Sequence, residues 1–251
     1  MVRGLANIMR LKAGETLLDP FSGSGTAVVE GALLGLKTIG YDISPLCVLI
    51  GKVKANAVHH LKKIAPEGES FSLLCEVPPT WNENIAKKLS DPVESFDLLA
   101  HMIARSDEAR RGQDFAAKVH VNREKMLKSL QLMKEGCEEI GIRPVPARLE
   151  IADARSLPLK DGSVDGIITS PPYSIALNYV ENDAHSLEAL GYDLTHIKDE
   201  FIGVRATGRK RFDLYEDDMG RAYAEMARVL KFGPRQQKQW VNSGSGRRPS
   251  V

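Results

Sequence analysis

The apolar positions of this chain come in short runs that end at glycines or acids, and those runs alternate with stretches of helical period. Glu15-Thr16-Leu17-Leu18-Asp19-Pro20 reads as a buried strand opening directly into Phe21-Ser22-Gly23-Ser24-Gly25-Thr26. Val28, Val29, Ala32, Leu33 and Leu34 follow at helical spacing, so the segment predicts strand, glycine turn, helix. Lys37-Thr38-Ile39-Gly40-Tyr41-Asp42 predicts a second strand ending in an acid. Pro45 then opens a helix carrying Leu46, Val48, Leu49, Ile50, Val53 and Ala57, as suits a proline at the first helical position. That completes one βαβα unit.

From about His59 to Pro146 the pattern changes. Pro66, Gly68, Pro78, Pro79, Asp91 and Pro92 interrupt it, and charged, mostly helical segments fill the rest. The stretch 59–146 reads as a helical insertion, with Trp81, Pro78 and Pro79 as its anchor and Met126, Leu130, Leu132 and Met133 packing it. The core pattern resumes at Ala147-Arg148-Leu149-Glu150-Ile151-Ala152-Asp153, a third strand, and a turn through Leu157-Pro158-Leu159 leads to a fourth, Gly166-Ile167-Ile168-Thr169.

The fourth strand runs into Ser170-Pro171-Pro172-Tyr173. Two prolines cannot continue a central strand, because each lacks the ladder N–H and fixes its own φ. A rigid turn there points a hydroxyl, carbonyls and an aromatic ring into the crevice where open α/β sheets bind ligands. Taken alone, the motif also fits plain loop punctuation or a proline-rich ligand segment.

Beyond Tyr173, a loop and two short helical stretches lead to the basic run Gly203 to Arg211. A helix from about Leu214 to Leu230 follows, with Met219, Ala222, Tyr223, Met226 and Leu230 on one face. After Lys231 no strand period returns, so residues 233–251 read as a disordered tail and the sheet as cut short at its C-terminal edge.

A chain of 251 residues suffices for one α/β domain with an insertion or for two small ones. The formal net charge of +1 gives no global argument for nucleic-acid binding and leaves only local patches. Cys47, Cys75 and Cys137 form no Cys-x-x-Cys pair, and the six histidines show no ligand spacing, so no metal site or disulfide framework is indicated. No apolar run approaches the length of a membrane span, and the start lacks a secretion signal; the expectation is a cytoplasmic protein without membrane contact.

Read in order, Asp19-Pro20-Phe21-Ser22-Gly23-Ser24-Gly25-Thr26, Asp42, Asp153 and Ser170-Pro171-Pro172-Tyr173 resemble the S-adenosylmethionine-dependent amino-methyltransferases. The likeness is greatest to the DNA methylases that modify N4 of cytosine or N6 of adenine. Serine at the head of the proline motif resembles the cytosine branch, whereas Asp or Asn is usual in the adenine branch. The resemblance covers about Leu11 to Ala57 and Ala147 to Lys231. It implies a Rossmann-like, doubly wound α/β sheet of the class I methyltransferase type. Residues 1–58 would be its cofactor-binding half and 147–232 its catalytic half. S-adenosylmethionine is the implied cofactor, and DNA rather than RNA the implied partner.

By the same likeness Asp19, Pro20, Phe21, Gly23, Gly25 and Thr26 wrap the methionine portion of the cofactor, with Asp19 on its amino group. Asp42, about seventeen residues past Gly25, lies near the ~20-residue offset at which an acid meets ribose hydroxyls; a helix cap or a solvated acid also fits it. Ile43 would cover the adenine, and Asp153 and Ala154 would read its edge, although a surface acid at Asp153 fits as well. Ser170 Oγ and the Pro171 carbonyl would hold the target amine, Pro172 would complete the turn, and Tyr173 would stack on an extruded base. Arg205, Arg209, Lys210 and Arg211 would track phosphates, the alternative being a solvated charged face.

The chain also departs from the family pattern. Little precedes the first strand, the insertion lies between the second and third strands, and terminal strands are missing. Two rival functions follow: a tRNA guanine-N2 methyltransferase, and a truncated remnant that binds cofactor or nucleic acid without catalysis.

Overall fold

The computed structural model describes residues 1–66, 90–173, 181 and 183–231. The proposed anchor at Pro78, Pro79 and Trp81 and the tail 233–251 lie outside the described residues. Four parallel strands, β1 (Thr16–Asp19), β2 (Lys37–Asp42), β3 (Arg148–Ile151) and β4 (Gly166–Ile167), form one sheet in the order β3-β2-β1-β4. The helices are α1 (Val2–Ile8), α2 (Thr26–Leu33), α3 (Pro45–Asn56), α4 (Leu61–Ile64), α5 (Pro92–Arg111), α6 (Phe115–Glu139), α7 (Ala184–Ala189), α8 (Leu194–Glu200) and α9 (Gly208–Val229).

Parallel strands are covered on both faces, which is why they read as near-continuous apolar runs. Successive residues point to opposite faces, and β1 shows it. Leu17 packs with Val2 and Ala6 of α1, Ala27 of α2, Leu36 and Ile168, while Leu18 packs with Tyr41, Leu157, Val164 and Val229 of α9. Each of these leucines is fully buried, worth about 1.5–3 kcal/mol relative to exposure. Helices on both faces, with strand order reversing at β1, make the doubly wound Rossmann-like arrangement that the family resemblance implies.

Helix α3 lies between the sheet and a further helical layer. Val48 and Ala55 meet Val28 and Leu149, whereas Leu46, Leu49 and Val53 meet Phe96, Leu99 and Leu130 of α5 and α6. Both outer helices start at acidic caps: Asp91 accepts from the N–H groups of Val93 and Glu94, and Asp114 from that of Ala117. The nearly buried Arg123 donates to Asp97 at 2.7 Å and to the Ile64 carbonyl at 2.9 Å, stapling α6 to α5 and α4. Leu187 and Leu190, in and beside α7, join the same cluster. Among the described residues, no helix is long and apolar enough to cross a membrane.

Three features differ from the sequence reading. Helix α1 precedes β1, where little was expected, because a single turn or two held by Val2 and Ala6 is too short to show a period. Helix α9 starts at Gly208 rather than Leu214, so Arg209-Lys210-Arg211 is helical; arginine and lysine are good helix formers, and a charge run hides that. Past α9 the chain returns to the sheet: Leu230 forms a parallel bridge with Val164, and the Lys231 N–H donates to the Val164 carbonyl at 2.8 Å. Pairing at that edge thus continues beyond the point where the strand period faded.

Candidate active site

Strand register brings the carboxyl ends of the strands to one edge: Asp19 stands opposite Gly40, and Asp42 opposite Ile151. A cavity of about 240 Å³ lies over that edge. Pro20, Phe21 and Gly23 enter it from the β1 turn, Asp42 and Ile43 from the β2 end, Asp153 and Ala154 from the β3 end, and Ser170 to Tyr173 from the β4 end. Asp183, Leu187, Glu200, Phe201 and Ile202 also line it, as do Ser44 and Cys47. Asp19, Gly25, Thr26 and the four cations of the basic run are not part of the lining.

On the β1–β2 side the backbone does the holding. Gly23 and Gly25 have φ values of 49° and 80°, a left-handed conformation that glycine adopts freely. The Gly23 N–H donates to Asp42 Oδ2 and the Ser44 N–H to Asp42 Oδ1, each at 2.8 Å. Burial pushes the Asp42 carboxyl up, against the pull of these amide bonds. A Cβ on Gly23 would meet nothing within 4 Å, so the turn leaves open space for a ligand. Gly25 has a different reason: a Cβ there would lie 2.8 Å from the Gly51 Cα, so it lets α2 approach α3. Gly25 caps α2 and Thr26 begins it, and neither is part of the cavity lining.

Asp19 sits one layer behind the lining. Its Oδ1 accepts from Thr169 Oγ1 at 2.6 Å and from the Phe21 N–H at 3.1 Å, joining the ends of β1 and β4. Burial raises its carboxyl to about 6 despite both bonds. Burial likewise pushes the Cys47 thiol up to about 12, so this side chain is a neutral wall rather than a nucleophile.

On the β3–β4 side, side chains do the holding. The Asp153 carboxylate, expected to be open, is largely engaged by Arg155: the backbone N–H and Nε reach Oδ1 at 2.8 and 2.9 Å, and Nε and Nη2 reach Oδ2 at 2.9 and 2.7 Å. Burial pushes Asp153 up, but the hydrogen bonds and charge of Arg155 hold it below the usual range. Arg155 also donates to Asp218 Oδ1 at 2.9 Å and to the Glu200 carbonyl at 2.8 Å.

The basic run is divided. Arg205 turns inward and pairs with Asp218, whose side chain is only 2% exposed, and Arg211 Nε donates to the Gly203 carbonyl at 2.7 Å. Both therefore have a partner within the protein, the helical turn from Gly208 folding Arg211 back over Gly203. Arg209 and Lys210 are exposed.

The Ser170–Tyr173 turn itself is fixed from α9. Tyr215 OH donates to the Pro172 carbonyl at 2.9 Å, and Gly203, at φ 82°, packs under the Tyr173 carbonyl. Tyr173 is 69% exposed, at the mouth of the cavity. Thr169, Arg155, Tyr215 and Asp218 are supporting residues that the sequence reading missed. One signal was available: Arg211, Tyr215, Asp218 and Ala222 recur at helical spacing, a polar stripe continuous with the apolar face.

Residues 1–190 match the family model described as UPF0020: RMKL-like, methyltransferase domain. Over 39 residues the chain is 56% identical to a probable tRNA (guanine(10)-N2)-dimethyltransferase of Methanothermococcus thermolithotrophicus, covering 16% of this chain and 24% of that protein. A longer match, 21% identical over 264 residues, covers 79% of this chain and 52% of the Type II methyltransferase M.BsoBI of Geobacillus stearothermophilus. The Type II methyltransferase M.MjaII of Methanocaldococcus jannaschii is 45% identical over 53 residues, 20% of this chain and 10% of that protein. The chain thus spans at most about half the length of these relatives. Methyltransferases of this type take the methyl group from S-adenosylmethionine. With three quarters of its length matched by that model, the chain belongs to the RMKL-like methyltransferase-domain family.

Proposed function

We propose that this protein transfers a methyl group from S-adenosylmethionine to an exocyclic amine of a nucleic-acid base, with N4 of cytosine in DNA as the target. The observation that carries the reading is the meeting of Gly23, Asp42, Asp153 and the Ser170–Tyr173 turn around one cavity. The residues suit the donor. Open space stands before Gly23, the acids Asp42, Asp153, Asp183 and Glu200 suit a ligand bearing cationic sulfur and nitrogen, and Phe21, Ile43 and Leu187 offer apolar walls to a ring. The cavity is close to the low end of small-molecule sites, about 300–1,000 Å³.

The bound donor supplies a methyl group on a positively charged sulfur, which is already a good leaving group. The protein's task is placement. Asp42 would offer its remaining lone pairs to ribose hydroxyls, and Asp153 and the Ala154 N–H would meet the adenine edge. An exocyclic amine conjugated with its ring has little free lone pair, so Ser170 Oγ and the Pro171 carbonyl accept its hydrogens and aim its nitrogen. Tyr215 takes the Pro172 carbonyl and thereby holds the turn in one orientation. Tyr173, exposed at the mouth, stacks on the extruded base, a contact worth about 1–3 kcal/mol. Tyr173→Ala is expected to lower turnover on nucleic acid about ten- to a hundredfold while donor affinity, read by calorimetry, stays level. Equal losses in both would remove Tyr173 from this role.

A second reading, N2 of guanine in tRNA, is favoured by the relatives named as tRNA guanine-N2 dimethyltransferases. Methyl-labelled donor, incubated with duplex DNA or with bulk tRNA and followed by nucleoside mass spectrometry, separates the two. N4-methylcytosine is the expected product. N2-methylguanosine would transfer the assignment to tRNA, and donor binding without label transfer would mark a non-catalytic binder.

A further inference from the structure

Four alternating charges run from the cavity wall through two buried members to the half-buried Arg205. Asp153 lines the cavity, Arg155 grips it, Asp218 grips Arg155 from the buried face of α9, and Arg205 closes the chain. The side chains of Arg155 and Asp218 are 9% and 2% exposed. Removing one partner from such a buried arrangement leaves an uncompensated charge, so the positions of its members are strongly coupled. The guanidinium meets Asp153 with two of its nitrogens, which fixes the carboxylate plane as well as its distance.

The acceptor count sharpens the point. An ionised carboxylate offers about four lone-pair sites. The Arg155 backbone N–H, Nε and Nη2 make four contacts, two on each oxygen, with the one Nε hydrogen shared between them. Three hydrogens on about four sites leave room for one further donor, whose approach the guanidinium restricts. The same Nη2 donates to the Glu200 carbonyl at 2.8 Å, so one buried cation ties Asp153 to the Glu200–Ile202 stretch that also lines the cavity.

We propose that Asp218, acting through Arg155, is a positioning residue that aims the free acceptor of Asp153 at the 6-amino group of the donor's adenine. The proposal rests on the methyl-donor reading given above, in which Asp153 faces that ring. It separates Asp218 from a residue that only stabilises the fold, because its effect is specific to one substituent of the ligand. A site built to hydrogen-bond an N–H rejects the analogue lacking it.

Calorimetry with S-adenosylhomocysteine and S-inosylhomocysteine tests it, since the second carries a carbonyl where the first carries the amine. The wild-type protein is expected to prefer the adenosyl compound by about tenfold or more, and Asp218→Asn to bring that preference to within about twofold, with the apo protein still folded by circular dichroism. Arg155→Lys, which replaces a planar fork by a point charge, is expected to do the same and serves if the first variant does not fold. A folded variant that keeps the wild-type preference overturns the proposal and leaves the donor reading standing. A wild-type protein that binds the adenosyl compound without preference overturns the role of Asp153 and this proposal with it. Failure of the wild-type protein to bind either compound overturns the donor reading itself.

Discussion

The two walls of the cavity are held in opposite ways. On the β1–β2 wall, Asp42 is fixed by the N–H groups of Gly23 and Ser44, 19 and 2 residues away. On the β3–β4 wall Arg155, two residues from Asp153, is itself held from afar: Asp218 lies 63 residues from Arg155, and Tyr215 lies 43 from Pro172. Backbone donors come with the fold and cannot be substituted away, so the first wall fails only where a glycine or Asp42 is changed. Side-chain anchors can be removed one at a time, so the second wall can be adjusted without rebuilding the sheet. On the function proposed above, donor placement would be built into the architecture and base placement left tunable.

The glycine turn offers the largest test, because its two glycines serve different masters. Gly25→Ala forces a left-handed backbone on alanine, about 1–2 kcal/mol, and drives a Cβ to 2.8 Å from the Gly51 Cα. Overpacking of that kind adds about 1–3 kcal/mol, so denaturant unfolding should show a loss of about 2–5 kcal/mol. Gly23→Ala meets nothing within 4 Å and incurs only the backbone term, but its methyl stands in the cavity and should weaken donor binding. If Gly23→Ala proves the more destabilising of the pair, the division of labour is wrong.

Asp19 spans the two walls, and its burial gives a signed pH effect. Its folded-state value of about 6 lies above the ordinary 3.8, so the folded protein holds this proton more tightly than the unfolded chain. Stability referable to Asp19 is therefore highest below pH about 4 and is lost as pH rises to about 6, after which it stays level. Asp19→Asn keeps an acceptor for Thr169 and Phe21 and does not titrate. It should match the wild type near pH 4 and exceed it by up to about 3 kcal/mol at pH 7, in proportion to the shift. A stability difference independent of pH between 4 and 7 would contradict the burial argument.

The same contrast decides what could be read from the sequence. β1, β2, the glycine turn and the Pro45 helix rest on contacts between near neighbours, and their apolar runs and breakers mark them within a residue or two. The turn at Ser170 is marked by its prolines, whose chemistry is local. Arg155, Tyr215 and Asp218 are different. Each looks like an ordinary polar residue until α9 folds onto the β3–β4 side, and only then does each find its partner. The inward turn of Arg205 escaped notice for the same reason, since a charge run carries no sign of which members have buried partners. Helix α1 shows the other limit, a segment whose helicity rests on what it packs against.

Tyr215→Phe sharpens the picture of the tunable wall. It deletes one hydroxyl, and with it the 2.9 Å bond to the Pro172 carbonyl. The stability loss should be small, about 0.5–1.5 kcal/mol, as for a typical intramolecular hydrogen bond. Donor affinity should stay unchanged, because the β1–β2 wall is untouched, while turnover on the nucleic-acid substrate falls as the turn loosens. A parallel loss of donor affinity would show that the two walls are not independently held.

The smallest effect concerns Arg209 and Lys210, the exposed half of the basic run. They stand in the first turn of α9, which has no acidic residue to balance the positive end of the helix. Cations there oppose the macrodipole by about 0.3–1 kcal/mol each at low ionic strength. Arg209→Gln with Lys210→Gln should therefore stabilise the fold slightly in low salt and not at all in high salt. If the pair meets phosphates, the same change should lower the slope of log affinity against log salt by up to about two for duplex DNA. Arg205→Gln provides the contrast: its partner is the buried Asp218, so it should cost stability and leave the slope where it was. A slope that responds to Arg205 and not to the exposed pair would place the phosphate path on the opposite side of α9.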